Sequence, residues 1–118
     1  MSLQFDISRW TTEKFEELTM DGKTIDFDAA TDKVDYKDIK NFRNGTNLIV
    51  YFFKALGELS EGVFHALSVH DILRVITTMN GDENWKCPEE KKIWEDRLMS
   101  CIDSTDFNTH VLTWIYWD

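Results

Sequence analysis

Asp26 and Asp28 flank Phe27 in the segment KTIDFDA, and two carboxylates that close could divide the roles of general acid and general base. Side by side on a strand, the same pair is more simply a solvent-facing edge. His65 and His70 are the other groups able to move protons or hold a metal ion. Five residues apart on one helix, they would stand about 140° from each other at about 100° per residue. They share a site only if the chain breaks between them, and Ser68 offers such a break by starting a new helix. His65, His70 or His110 with Cys87 or Cys101 would supply the parts of a thiol nucleophile and its base. Nothing local supports that assembly: there is no H-E-x-x-H or C-x-x-C spacing, and Cys101 falls on an apolar helical stripe where cysteine packs as a small hydrophobe.

The stretch MDGKTIDFDAATDKVDYKDIK, Met20 to Lys40, is rich in aspartate and raises the question of calcium. With Gly22 as the sixth residue of a calcium loop, positions one, three, five and twelve would be Glu17, Thr19, Asp21 and Asp28. The register then fails at position eight, where Thr24 replaces an apolar residue. Starting instead at Asp26 puts Thr31 where glycine is required. A turn followed by a solvated segment is the plainer reading. No Walker loop, dinucleotide fingerprint, G-x-S-x-G elbow or kinase signature occurs. No cofactor, no metal and no catalytic residue is assigned, and a non-catalytic protein is expected.

The elements that must position these groups belong to a chain of 118 residues, 42% hydrophobic and 14% aromatic, enough for one packed domain over residues 1–118. Met1 to Leu3 read as a remnant of an expression vector. Thr11 caps a helix from Thr12 to about Thr19, with Glu13 in its first turn and Trp10 and Phe15 as a hydrophobic staple. KTIDFDA alternates like a strand. Tyr36, Ile39 and Phe42 give Thr31 to Phe42 one narrow helical stripe. LIVYFFKALGELS carries Ile49, Phe52, Phe53, Leu56 and Leu59 at helical spacing and is the expected central buried helix. Ser68 and Asp71 approximate a capping box before Ile72, Leu73, Val75, Ile76 and Met79, and Asn80-Gly81 ends that helix. Pro88 opens a further helix on which Ile93, Trp94, Leu98, Cys101 and Ile102 are expected to share one face. Thr109 to Trp117, β-branched and aromatic, reads as a strand that could pair with Lys23 to Asp28. The expected fold class is mainly α, four to five helices around a central apolar helix with a small β element; the alternative is α+β.

The net charge of −9 disfavours direct contact with nucleic-acid phosphates or anionic lipid and suits a basic protein partner. The acids are interrupted by Lys23, Lys33, Lys37 and Lys40. Residues 1–44 carry ten acidic and seven basic side chains, whereas Gly81 to Asp118 carries nine and four. The longest apolar run, LIVYFF, is too short to span a bilayer, and MSLQFDISRW lacks the pattern of a secretory leader. A soluble cytoplasmic protein is expected.

Trp114, Tyr116 and Trp117 crowd the end of the chain and Trp85 lies in a polar segment. On a strand, Trp114 and Tyr116 face one side, Ile115 and Trp117 the other. Large aromatics dominate interface hot spots, which makes Trp85, Trp114, Tyr116 and Trp117 the candidate protein interface. The opening FDISRWTTEKFEEL resembles the acidic beginnings of small bacterial immunity proteins over that segment alone. The expected function is non-catalytic binding of another protein, as inhibitor, immunity factor or accessory subunit of bacterial or phage type; a homodimer is compatible with it. Two alternatives stand beside it: an enzyme or metal-dependent protein with a site assembled from distant histidines and carboxylates, and a nucleic-acid mimic.

Overall fold

A computed structural model describes residues 4–31, 37–41, 46–83 and 88–118. The chain runs β1 (Gln4–Thr11), α1 (Thr12–Leu18), β2 (Thr24–Asp26), α2 (Phe27–Thr31), β3 (Lys37–Asn41), α3 (Thr46–Leu56), β4 (Val63–Leu67), α4 (Val69–Asn80), α5 (Pro88–Asp103) and β5 (His110–Trp117). Five strands form one sheet in the order β2-β4-β5-β1-β3, with every neighbouring pair antiparallel. The fold is therefore α+β, which corrects the mainly α expectation. The sheet, not an apolar helix, is the centre of the molecule.

β1 and β5 make the spine of that sheet, paired from Gln4↔Trp117 to Thr11↔His110. Phe5 and Ile7 lie opposite Tyr116 and Trp114, whereas Ser8 and Trp10 lie opposite Thr113 and Val111 on the reverse face. The Trp10 indole N–H donates to the Thr113 hydroxyl at 2.7 Å, satisfying both groups inside the second face. β5 does not pair with β2 as expected, because β4 lies between them. The helix expected over Thr31 to Phe42 is also absent as such: Lys37–Asn41 is an edge strand on β1, with a register shift between Ile7 and Ser8. Residues 32–36 and 42–45 lie outside the described residues.

One face of the sheet is sealed by α3, α4 and α5. Phe5, Phe52 and Trp114 form its aromatic centre, with Phe5 and Phe52 rings 4.7 Å apart and Phe52 and Trp114 rings 5.0 Å apart. α4 enters this layer through the expected capping box, Ser68 and Asp71 exchanging side-chain-to-backbone bonds of 3.1 and 3.0 Å. Trp94, Leu98 and Cys101 of α5 complete it, and the Cys101 side chain is fully buried. Among the described residues the other face is covered by α1 and α2, which bring Phe15, Leu18 and Ala30 against Trp10, Ile25, Phe64 and Ile115.

Asp21-Gly22 forms the expected turn. The Asp21 carboxylate accepts from the backbone N–H of Lys23 and of Thr24, each at 2.8 Å, and from the Thr24 hydroxyl at 2.9 Å. These donors hold its pKa at about 2, below its ordinary value of 3.8. Gly22, at φ +78°, takes the left-handed corner of the turn. The Thr19 hydroxyl donates to the Thr24 carbonyl at 2.7 Å. Both backbone groups of Thr24 are thereby occupied on the outer edge of β2, which blunts that edge against adding a strand.

Candidate functional site

The short second layer leaves a cleft of about 440 Å³ at the C-terminal end of β5. Ile115, buried in the sheet, and Trp117, half-buried, belong to β5; Phe27, Asp28 and Ala29 come from α2, Asp26 from the end of β2, and Gly62 from the turn before β4. Local sequence explains this assembly. β2 ends at Asp26, and the chain turns at once into α2, whose Ala30 is fully buried, so that this one-turn helix seats against the sheet through small residues. Phe27 stacks on Phe64, rings 6.1 Å apart and 13° from parallel, and remains 40% exposed.

The opposite wall is tied down by three bonds. Gly62 N–H donates to the Tyr116 carbonyl and Asp118 N–H to the Glu61 carboxylate, at 2.9 and 2.8 Å. The Tyr116 hydroxyl donates to the Leu59 carbonyl. Burial first, then the charges of Glu58 and Glu61, push the Tyr116 pKa up, so the field at this end of the sheet is negative. Trp117 is thus carried on a strand end with little freedom to withdraw.

A second depression of about 410 Å³ adjoins the cleft and shares Asp26 and Ala29 with it; Glu17, Leu18, Met20, Asp21 and Thr24 complete its lining. Met20 is 97% exposed. Among the described residues no lysine, arginine or histidine lines either depression, although Lys14 reaches Glu17 at 3.4 Å across solvent. The two together make an acidic surface with apolar residues in its floor and walls. Chemically it suits a ligand that is itself apolar along its length and cationic at its end.

The residues singled out in the sequence go to different places. Trp117 lines the cleft, Trp114 lies fully buried on the reverse face among Phe5, Phe52, Phe53, His65 and Tyr116, and Tyr116 is buried with its hydroxyl on the Leu59 carbonyl. Trp85 and Cys87 lie outside the described residues. Asp26 and Asp28 do share the cleft. The histidines do not join them. His65 is buried beside Trp114 with Nε2 2.7 Å from the Ser60 carbonyl, so in this contact Nε2 carries the proton. His70, just beyond the Ser68 cap, lines a separate groove between α3 and α4 with Lys54 and Arg74, and His110 meets the Thr109 hydroxyl at 2.7 Å. Among the described residues no group of three His, Cys, Asp or Glu could hold a metal ion.

Phe27, Gly62 and Ile115 escaped the sequence reading, because Phe27 was assigned to a strand and the other two reach the cleft only through topology. The run DFDAAT carried one usable signal: an aspartate that could cap a helix ahead of two alanines. No protein-family model matches the chain, no curated protein matches its sequence, and no solved structure matches it. None of the helices among the described residues is long and apolar enough to cross a membrane.

Proposed function

We propose that this chain is a non-catalytic binding module that docks another protein on the acidic, aromatic-walled side of its sheet. The observation that carries the reading is the cleft formed by Phe27 and Trp117 over Ile115, with Asp26 and Asp28 in its lining. Its size is within the range of pockets that bury a small group, and the adjoining depression with exposed Met20 extends the surface beyond what a small ligand would cover. Exposed apolar residues within an acidic surround favour a partner of opposite charge, which would be steered into place and then held by the aromatics.

The test is capture of partners by three forms of the protein: wild type, Phe27→Ala/Trp117→Ala, and Ile93→Ala, which alters an exposed residue of α5 away from the cleft. Folding of each is verified by its amide spectrum. A partner kept by wild type and Ile93→Ala and lost by the double variant supports the reading. A partner kept equally by all three overturns it.

One observation favours a second reading: two carboxylates line a single concave cleft, as an acid and a base would. That reading predicts turnover of a small substrate by the protein alone, abolished by Asp26→Asn or Asp28→Asn singly. His65 and His70 contribute to neither wall, so it rests on the carboxylates.

A further inference from the structure

We propose that the groove between α3 and α4 binds a short acidic peptide segment of a partner protein, with carboxylates on Lys54 and Arg74 and an apolar side chain between them on Leu73 and Ala55. This goes beyond the docking reading and does not rest on it, because the groove belongs to the helical layer on the opposite face of the sheet from the cleft. The first support is the groove's composition. The whole chain has 22 acidic and 13 basic residues, yet this lining of about 410 Å³ holds Lys54, Arg74 and the His70 imidazole and no acid among the described residues. The helical period of α4 sets His70, Arg74 and Thr78 four residues apart, in a row beside Leu73.

The second support is pairing. Elsewhere Lys14 meets Glu17 and Lys92 meets Asp96, Lys91 and Arg9 donate to backbone carbonyls, and Arg97 lies over the Trp94 ring. At the groove neither Lys54 nor Arg74 meets a carboxylate among the described residues. Asp71, next to His70 in the chain, turns its carboxylate back onto the Ser68 N–H at 3.0 Å, and the Asp82 carboxylate accepts the Tyr51 hydroxyl. Lys54 Nζ stands 5.4 Å over the Tyr51 ring, a contact that steadies the ammonium and leaves its N–H donors for an anion. Lys54, His70 and Arg74 are all exposed, so each pairing is weak singly and the segment is held by several together with the apolar contact. The third support is length. From His70 to Thr78 the wall runs about 12 Å at about 1.5 Å per residue, the span of about four extended peptide residues and more than one small anion fills. Leu73, 41% exposed, supplies the apolar contact in the middle of that span. A long nucleic acid or an anionic bilayer brings many charges against a chain of −9, whereas a short segment sits within the screening distance of about 10 Å, where the local cations dominate.

The experiment titrates the full chain with acetyl-Glu-Leu-Glu-Glu-Leu-Glu-amide and with its uncharged counterpart acetyl-Gln-Leu-Gln-Gln-Leu-Gln-amide, following backbone amide signals. The expected result is saturable shifts at Ala55, Leu73, Arg74 and Thr77 with the glutamate peptide, about fivefold or more tighter than with the glutamine peptide and falling away in high salt. Lys54→Gln/Arg74→Gln should weaken binding about fivefold. Lys14→Gln/Lys23→Gln, which removes the same two charges from α1 and the turn before β2, should change it by less than about twofold. All four substitutions lie at exposed positions, and unchanged signals from Leu98 and Trp114 verify the fold of each variant. Equal binding of the glutamine peptide overturns the proposal, as does an equal loss in both double variants, which would assign the effect to net charge alone. Absence of shifts at the groove residues overturns it as well.

Discussion

The two faces of the sheet are built from the same strands and end in opposite conditions. On one, helices of 11, 12 and 16 residues lie over Phe5, Ile7, Leu112 and Trp114 and leave these side chains sealed. On the other, the covering helices among the described residues have 7 and 5 residues. At about 1.5 Å per residue the longest reaches about 24 Å and the shortest about 7.5 Å. The short pair covers Trp10, Ile25 and Phe64 and stops before the end of β5. Trp114 and Trp117, three residues apart on one strand, therefore differ entirely: the first is interior, the second a wall of a cleft. The thick side encloses the larger core, and the thin side leaves the cleft beside Trp117 open.

That contrast makes the largest expected effect a loss of stability on the sealed face. Trp114→Ala or Phe52→Ala should cost about 3–5 kcal/mol in urea unfolding, because each leaves a large cavity among fixed neighbours. Trp117→Ala, at a partly open site, should cost clearly less than either while removing about tenfold or more of partner affinity. Equal destabilisation at both positions would erase the distinction between the faces. A smaller effect belongs to the entry of α4: Ser68→Ala removes one half of its capping box and should lower stability by about 1 kcal/mol, without touching partner capture.

The smallest effect is acid-dependent and tests the thin side's own scaffold. Asp21 has a folded pKa of about 2 against an ordinary 3.8, so its hydrogen bonds stabilise the turn fully above about pH 4–5. That contribution declines as pH falls through the window from about 4 to about 2 and is gone below it. Melting temperature followed against pH should fall less steeply in that window for Asp21→Asn than for wild type. Tyr51 supplies the opposite limb: burial, then the Asp82 carboxylate that accepts its hydroxyl at 2.5 Å, push its pKa to about 12. Its stabilising contribution is complete below about pH 10 and lost as pH rises through 12, and Tyr51→Phe should flatten that alkaline limb.

What could be read in the sequence follows the range of each signal. α1, α4 and α5 were legible because Thr11, the Ser68–Asp71 box and Pro88 act on their own neighbours. β4 was missed because a strand covered on both faces has no alternation to display: Phe64 packs on one side, His65 and Leu67 on the other, all buried. β3 was mistaken for a helix because its charged residues fit a solvated helical face as well as an edge strand. Pairing order was beyond reach, since β5 meets β1 across almost the whole chain. The site divides the same way. Asp26, Asp28 and Trp117 drew notice by type, but only the sheet order sets Trp117 and Gly62 beside the end of β2.

The central claim, that the thin side is the docking surface, is most directly tested by a photo-crosslinking residue placed at Met20 in one preparation and at Ile93 in another, each incubated with the captured partner. The account predicts a covalent adduct from Met20 and none from Ile93. Adducts from Ile93 alone would contradict it and move the interface to the helical face.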